Sequence, residues 1–183
     1  PSRLQMEIST SARVVGGTIE VSVVVLDAQE RAVSGVEVTW SASGSGGVQS
    51  ASTSSGTRGE STNLWILDTV PGEQQLTARA EDASGEVSIE VAPGPLTDVL
   101  LTPGEDTLRA LGDTLEIEPA GVDRYGNAVE LPALSWSSSN PTIASVVDGL
   151  VVAHAEGTVD IDVTTGAKSA TARVTVDQAI DTI

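Results

Sequence analysis

An internal duplication constrains the fold of this chain more than any other feature. Residues 16–40 and residues 112–136 follow one pattern, and each run begins with glycine and ends with tryptophan. The tryptophans Trp40 and Trp136 are 136 − 40 = 96 positions apart, and the same offset holds along both runs without a gap. A chain of 183 residues with this period predicts two domains of ordinary size, each with one hydrophobic core.

Apolar residues that alternate with polar ones predict strands in both copies. Ile19, Val21, Val23 and Val25 are spaced by two, which places them on one inward face of a strand. Frequent Gly, Ser and Thr favour turns and strands over helices, so we expect an all-β chain. Further strands are predicted at 4–8, 36–40, 64–67, 76–80, 87–91, 99–102, 115–117, 134–136, 143–147, 150–153, 159–163 and 170–176.

A proline-rich segment separates the copies. Residues 92–95 read Ala-Pro-Gly-Pro, and two prolines so close together fix the backbone and disfavour helix. We therefore predict domains at 1–93 and 96–183, joined by a short, semi-rigid linker. Seven or so short strands per copy, with a tryptophan on the third, predict two tandem immunoglobulin-like β-sandwiches. Residues 177–183 either lead into a further repeat or form a terminal tail.

The cores must form without phenylalanine and without disulfides, because the chain has neither Phe nor Cys. We expect Trp40, Trp65 and Trp136 to mark the cores among aliphatic side chains. Trp40 and Trp136 hold matching positions, as packing would require.

The copies diverge after the shared run. Near the closing strands the offset falls to 157 − 72 = 85, so the first copy has 96 − 85 = 11 additional residues between Trp40 and Gly72. This Ser- and Gly-rich surplus predicts loops or a weak edge strand, and it is where we expect a module-specific partner to bind. In the second copy Pro119 predicts an edge position or a bulge. In the first copy, residues 82–85 are predicted to form a hairpin turn.

The formal net charge of −17 excludes two classes of partner. Nucleic acid and anionic membrane surfaces both need Lys or Arg to neutralise phosphate, and this chain has 9 such residues against 26 acidic ones. No apolar run approaches the roughly 20 residues that cross a bilayer.

The first copy resembles the group 1 bacterial immunoglobulin-like domains of intimin and invasin stalks. The resemblance rests on residues 25–40, Val-Leu-Asp-Ala-Gln-Glu-Arg-Ala-Val-Ser-Gly-Val-Glu-Val-Thr-Trp, on Trp65, and on residues 72–78, Gly-Glu-Gln-Gln-Leu-Thr-Ala. The acidic turn usual in that group survives only as Gly-Thr-Arg-Gly at 56–59.

The second copy is similar to the group 2 bacterial immunoglobulin-like domains. The similarity rests on residues 111–115, Leu-Gly-Asp-Thr-Leu, and above all on residues 136–146, Trp-Ser-Ser-Ser-Asn-Pro-Thr-Ile-Ala-Ser-Val. Gly-Leu-Val-Val at 149–152 and Ala-Glu-Gly-Thr at 155–158 extend it. Together the two resemblances imply an extracytoplasmic spacer, stalk or binding module without catalytic residues.

Catalysis finds little support among the residues. His154 is the single histidine and continues a predicted strand, so we interpret it as structural. Surface candidates for binding are Tyr125 and its neighbour Arg124, together with Arg58. An exposed aromatic beside an arginine is a side-chain pair that can anchor a partner.

Calcium is the one cofactor that the acidic residues suggest. Asp98, Glu105 and Asp106 follow the linker, and Asp27 and Asp123 match across the copies. No spaced Asp-x-Asp-x-Asp-Gly loop is present, and Asp also forms turns through its own side chain. We expect no cofactor, with calcium as the alternative.

Three functions remain open. The first is a non-enzymatic extracytoplasmic structural or adhesion-type module, a spacer or protein-interaction platform in the periplasm or at the cell surface. The second is an accessory subunit docked on the extracytoplasmic face of a larger membrane protein complex. The third is a carbohydrate-binding appendage of a secreted enzyme. Partners are expected to be further immunoglobulin-like repeats or subunits of a membrane-associated complex, and membrane attachment would occur through a partner or a removed N-terminal anchor.

Overall fold

The computed structural model describes residues 1–9 and 13–178, and every regular element in this part is a strand. Residues 10–12, within a predicted polar turn, and 179–183, within the predicted tail or leader, lie outside the described residues. The chain forms two compact units, unit 1 (Pro1–Pro93) and unit 2 (Gly94–Ile183).

Unit 1 is a sandwich of two antiparallel sheets. Its strands are β1 (Arg3–Ile8), β2 (Thr18–Leu26), β3 (Glu37–Ala42), β4 (Gly47–Val48), β5 (Ser52–Ser54), β6 (Glu60–Ile66), β7 (Gly72–Ala80) and β8 (Ala83–Val91). One sheet has the order β1-β2-β6-β4 and the other β5-β3-β7-β8. Beside these, Val14 forms an isolated parallel bridge with Ala92 at the end of the unit.

Side-chain alternation along β2 contributes four buried residues to the unit 1 core. Ile19, Val21, Val23 and Val25 are buried, whereas Glu20 between them is exposed. Successive side chains of a strand point to opposite faces, so a period of two buries every second residue. The inward positions of β3 and β7 complete one continuous cluster with them.

The hairpin between β7 and β8 is shorter than the sequence predicts. Ala80 pairs with Ala83, so the turn is Glu81 and Asp82, and the prediction of a turn at 82–85 is wrong. Glu81 has a φ of 52°, and this positive φ helps the chain to reverse within two residues. Gly85 belongs to β8, where a Cβ would lie 2.9 Å from the Met6 side chain of β1. Its lack of a side chain therefore serves packing and not turning.

Unit 2 has ten strands in its described part, and eight of them have five residues or fewer. They are β9 (Asp98–Thr102), β10 (Glu105–Leu108), β11 (Thr114–Glu116), β12 (Glu118–Val122), β13 (Ala128–Val129), β14 (Ser135–Ser138), β15 (Ala144–Val147), β16 (Leu150–Ala153), β17 (Gly157–Thr165) and β18 (Lys168–Val176). Their sheets have the orders β10-β18-β17-β14, β11-β16-β15 and β13-β12-β9. The pairing of β10 with β18 is parallel, and all others are antiparallel.

The counterpart of β2 is divided into two strands in unit 2. At Ile117 the chain leaves the sheet that contains β11 and enters the sheet that contains β12. Pro119 then pairs with Leu101 of β9, while β13 pairs only with Gly121 and Val122. In the described part, β12 therefore has a paired strand on only one side at Pro119. This position suits proline, because proline has no N–H to donate to a second strand.

The loops at 27–31 and 123–127 hold matching positions in the duplicated sequence, and they share the same backbone hydrogen bonds. In each, the aspartate amide donates to the carbonyl four residues later, and a later amide returns to the aspartate carbonyl. The residue before the last has positive φ in both, 60° at Glu30 and 83° at Gly126. The sequence offset thus corresponds to one backbone conformation used twice.

Replacing Gly126 with alanine is expected to destabilise unit 2 by about 1 kcal/mol, because L-residues are disfavoured at such φ values. Nothing lies within 4 Å of the new Cβ, so the cost comes from the backbone alone. Urea unfolding measures it. Gly104→Ala is the control, since Gly104 lacks positive φ and a Cβ there would make ordinary contact at 3.7 Å. Equal effects of both substitutions would contradict this explanation.

Candidate functional site

Asp123 is the one carboxylate of the 123–127 loop, and it is buried, with 3% of its surface exposed. Its Oδ1 accepts hydrogen bonds from the amides of Tyr125 at 2.8 Å and Asn127 at 3.0 Å. Its Oδ2 accepts from the amide of Gly94 at 2.8 Å and from the Asn127 side chain at 2.9 Å. Burial raises the pKa of Asp123, but these hydrogen bonds outweigh it and lower the pKa to about 2.

In unit 1, Asp27 also accepts hydrogen bonds from its own loop, but its carboxylate is more exposed. Its Oδ1 accepts from the amides of Gln29 at 2.8 Å and Arg31 at 3.0 Å, and its Oδ2 accepts from Arg31 Nε at 2.9 Å. The backbone and side-chain hydrogen bonds of Arg31 lower the pKa of Asp27. In both units the matched aspartate is occupied in holding its own loop.

The other calcium candidates do not converge. Asp98 begins β9 and accepts from the Val99 amide, and Asp106 accepts from the Thr107 amide. Glu105 lies in β10 opposite Arg173 of β18. Within residues 1–9 and 13–178, no three acidic or histidine side chains are grouped so that they could hold a metal ion.

Calcium is therefore expected to leave the melting temperature unchanged. A ligand at one hundred times its Kd stabilises the folded state by about 2.7 kcal/mol, which would raise the Tm by several degrees. Thermal melting in excess CaCl₂ and in EDTA measures this directly. A Tm that is higher by several degrees in CaCl₂ would restore the calcium hypothesis.

Arg124 and Tyr125 form one local pair. The Arg124 guanidinium lies 4.5 Å from the Tyr125 ring centroid, and its Nη2 donates to the Tyr125 hydroxyl. Tyr125 is 39% exposed, which agrees with its interpretation as a surface aromatic. Arg58 is a separate exposed side chain of unit 1, whose Nε lies 3.4 Å from Glu60 Oε1. Their role in binding a partner remains a prediction.

His154 has a neighbour that the sequence did not reveal. Its Nε2 lies 2.7 Å from Ser145 Oγ, and both residues lie on the exposed side of the β15–β16 pair. The two are nine residues apart and meet only because β15 and β16 pair. In the described part, His154 has no carboxylate hydrogen-bond partner to orient its ring, and a nucleophilic triad needs one.

The three tryptophans differ in burial. Trp65 is fully buried and Trp40 is 5% exposed, but Trp136 is only half-buried. Trp136 packs against the unit 2 core, as expected, but it is less buried there than Trp40 is in unit 1. In unit 1, β5 covers the edge beside β3, and Trp40 Nε1 donates to Thr53 Oγ1 at 2.7 Å. No described strand covers the matching edge of β14.

The surplus of unit 1 consequently has a structural use. It contributes β4 and β5, each at the edge of a sheet. Within the same stretch of chain, Asp68 accepts hydrogen bonds from the hydroxyl and the amide of Ser45. These bonds lower the pKa of Asp68 to about 2. That a module-specific partner binds this surplus remains a prediction. Among the described residues no helix is long and apolar enough to cross a membrane.

A family model described as "Bacterial Ig-like domain (group 2)" matches residues 124–176, which lie in unit 2. The match includes residues 136–146, the most specific motif of the second copy. The group 1 assignment of residues 1–93, and the predicted domain limits, remain predictions. No curated protein sequence matches the chain.

Several solved structures are similar to this chain. FdeC, an Escherichia coli adhesin, shares 18% identity at a TM-score of 0.66, over 97% of this chain and 64% of that one. InvD of Yersinia pseudotuberculosis shares 17% identity at a TM-score of 0.54, over 96% of this chain and 58% of that one. A 282-residue intimin fragment in complex with the intimin-binding domain of the translocated intimin receptor shares 21% identity at a TM-score of 0.42, over 94% and 63%.

This chain thus spans less than two thirds of each of these structures. At such identities the likeness concerns the fold. The prediction of an all-β, immunoglobulin-like chain is confirmed.

Proposed function

We propose that this chain is a non-enzymatic structural module of the adhesin type, which acts outside the cytoplasm as a spacer or a protein-interaction platform. The observation that carries the proposal is the use of the matched aspartates. Asp27 and Asp123 accept hydrogen bonds from their own loops and from neighbouring backbone, so the polar groups of the duplicated loops stabilise the fold. The likeness to FdeC, an adhesin, supports the same function.

Proteins are the partners that this surface favours. The net charge of −17 opposes binding to polyanions, and the described edges and loops offer backbone and hydroxyl groups. Attachment to a membrane would then occur through a partner or an N-terminal anchor. Location in the periplasm or at the cell surface is part of the proposal.

Protease treatment of intact source cells tests the location. A tag placed in the exposed 81–82 turn should be digested on intact cells if the chain is on the cell surface. If the chain is in the periplasm, the tag should be digested only after the periplasm is released. A cytoplasmic protein treated in parallel controls for lysis. Protection of the tag in both preparations would overturn the proposal.

A docked accessory subunit is the second candidate, and one surface feature favours it. Val147 and Leu150 are paired across the β15–β16 turn and are 69% and 47% exposed. Adjacent exposed apolar side chains are the kind of surface that a permanent complex buries. A photo-crosslinking residue at Val147 should then give a stoichiometric adduct with a membrane subunit, while one at the exposed Lys168 gives none. Absence of an adduct at Val147 would favour the spacer.

The carbohydrate-binding alternative has the least support. Of the four aromatic residues in the sequence, only Tyr125 is strongly exposed. Sugar-binding surfaces of secreted enzymes need clustered exposed aromatics, and the described residues offer a single one.

A further inference from the structure

The duplication provides an internal reference for the edge strand β14. Strand β3 in unit 1 and β14 in unit 2 are counterparts, since Trp40 and Trp136 are 96 positions apart and both pair with a long antiparallel strand. In unit 1 the other side of β3 is occupied by β5, whereas β14 is the last strand of its sheet. Within the described residues, β14 therefore lacks a counterpart of β5.

Strand β5 completes both the sheet and the core edge of unit 1. It pairs antiparallel with β3, and the Trp40 amide donates to the Ala51 carbonyl at 2.9 Å. Thr53 lies opposite Val38, accepts the hydrogen bond of the Trp40 indole, and lies 2.6 Å from Ser61 Oγ of the other sheet. Strand β5 thus covers the Val38 side chain and accepts the hydrogen bond of the Trp40 indole.

The matching positions of unit 2 are less covered. Val38 is 0% exposed, but its counterpart Leu134 is 38% exposed. The Trp136 indole is half-buried and has no hydrogen-bond acceptor within the described residues. A partly buried indole N–H ordinarily finds a partner, so this one is available to an incoming group.

The backbone of β14 is also oriented for pairing. Ser139 donates to Asp160 on β17, and hydrogen-bonded positions alternate along an antiparallel pair. Ser135 and Ser137 therefore direct their amides toward β17, and Trp136 and Ser138 direct theirs to the open side. Residues 133–139 contain no charged residue and no proline, which are the side chains that protect edges against strand addition.

We propose that the β14 edge accepts an extended, uncharged, Ser- and Thr-rich strand of a partner protein, added antiparallel as β5 is added to β3. A threonine opposite Leu134 would cover that side chain and accept the Trp136 indole hydrogen bond. The uncharged character is taken from β5, whose residues Ser52–Ser54 carry no charge, and an acidic strand would be repelled by the net charge of −17. This inference rests on the proposed function only in assigning protein partners.

Titration of the ¹⁵N-labelled full chain with a capped peptide of residues 50–56, Ser-Ala-Ser-Thr-Ser-Ser-Gly, tests the proposal. The Trp136 indole signal should shift saturably with a Kd on the order of 1 mM, while the Trp65 signal stays fixed. Exchange of the Trp136 and Ser138 amides with solvent should slow several-fold. A peptide with valine in place of threonine should bind several-fold more weakly.

Leu134→Lys places a charge on the edge and should abolish the shift in a protein whose amide spectrum is otherwise retained. Leu100→Lys is the matched control, because Leu100 is 50% exposed on a different sheet and should leave binding unchanged. Unchanged Trp136 signals at 10 mM peptide, or equal binding by Leu134→Lys, would overturn the proposal. Concentration-dependent shifts without peptide would also overturn it, in favour of pairing between two copies. None of these outcomes would contradict the structural-module proposal, because the protease treatment tests that proposal separately.

Discussion

Replacing Trp65 with alanine is expected to destabilise unit 1 by about 3–5 kcal/mol, the largest effect of any single substitution considered. Trp65 is 0% exposed on β6, between Ile19 of β2 and Val48 of β4. Truncation removes the largest buried side chain of that core and leaves a cavity that short neighbouring side chains cannot fill. Urea unfolding, followed by circular dichroism, measures the loss.

Trp136→Ala is the matched control. Because Trp136 is half-buried beside an open edge, its truncation should cost only about 1–2 kcal/mol of unit 2 stability. If Trp65→Ala prevents folding altogether, Trp65→Phe should fold and still lose more stability than Trp136→Phe. Equal losses at the two tryptophans would contradict the difference in burial.

Replacing Asp123 with alanine is expected to lower the Tm of unit 2 by on the order of 10 °C. The substitution removes the acceptor for three backbone amides, of Gly94, Tyr125 and Asn127, at a buried position. Asp27→Ala is the matched control, since the Asp27 side chain is more exposed and water can replace it. Its Tm loss should be less than half as large.

Acid provides a second measurement of the same hydrogen bonds. The pKa of Asp123 is lowered from 3.8 to about 2, so the folded state binds the proton less readily than the unfolded state. The stabilisation is fully present above the unfolded pKa and is lost as the pH falls from about 4 to about 2. Asp123→Asn should retain part of the hydrogen bonding and flatten this pH dependence. An unchanged acid profile in that variant would contradict the assignment.

Local patterns in the sequence predicted much of the fold. The period of two along β2 placed Val21 and Val23 inside, and the constant offset anticipated that Asp27 and Asp123 would hold matching loops. These features depend on neighbours within a few residues, which is the distance over which residue type determines backbone conformation.

Features that depend on strand pairing could not be predicted in this way. The open edge beside Trp136 follows from the absence of a strand equivalent to β5, and the Ser145–His154 contact follows from the pairing of β15 with β16. The position of the β7–β8 turn depended on Glu81 adopting a positive φ, a conformation that residue type disfavours. Each is set by long-range registry and not by local composition.

The parallel pairing of β10 with β18 determines how these two strands resist being pulled apart along the chain. Residues from Glu105 to Leu108 run beside residues from Arg173 to Val176 in the same direction. A pull toward the N-terminus on β10 and toward the C-terminus on β18 slides the two strands past one another. The hydrogen bonds between them are then loaded together and must fail together, whereas an antiparallel hairpin pulled at its open end separates one bond at a time.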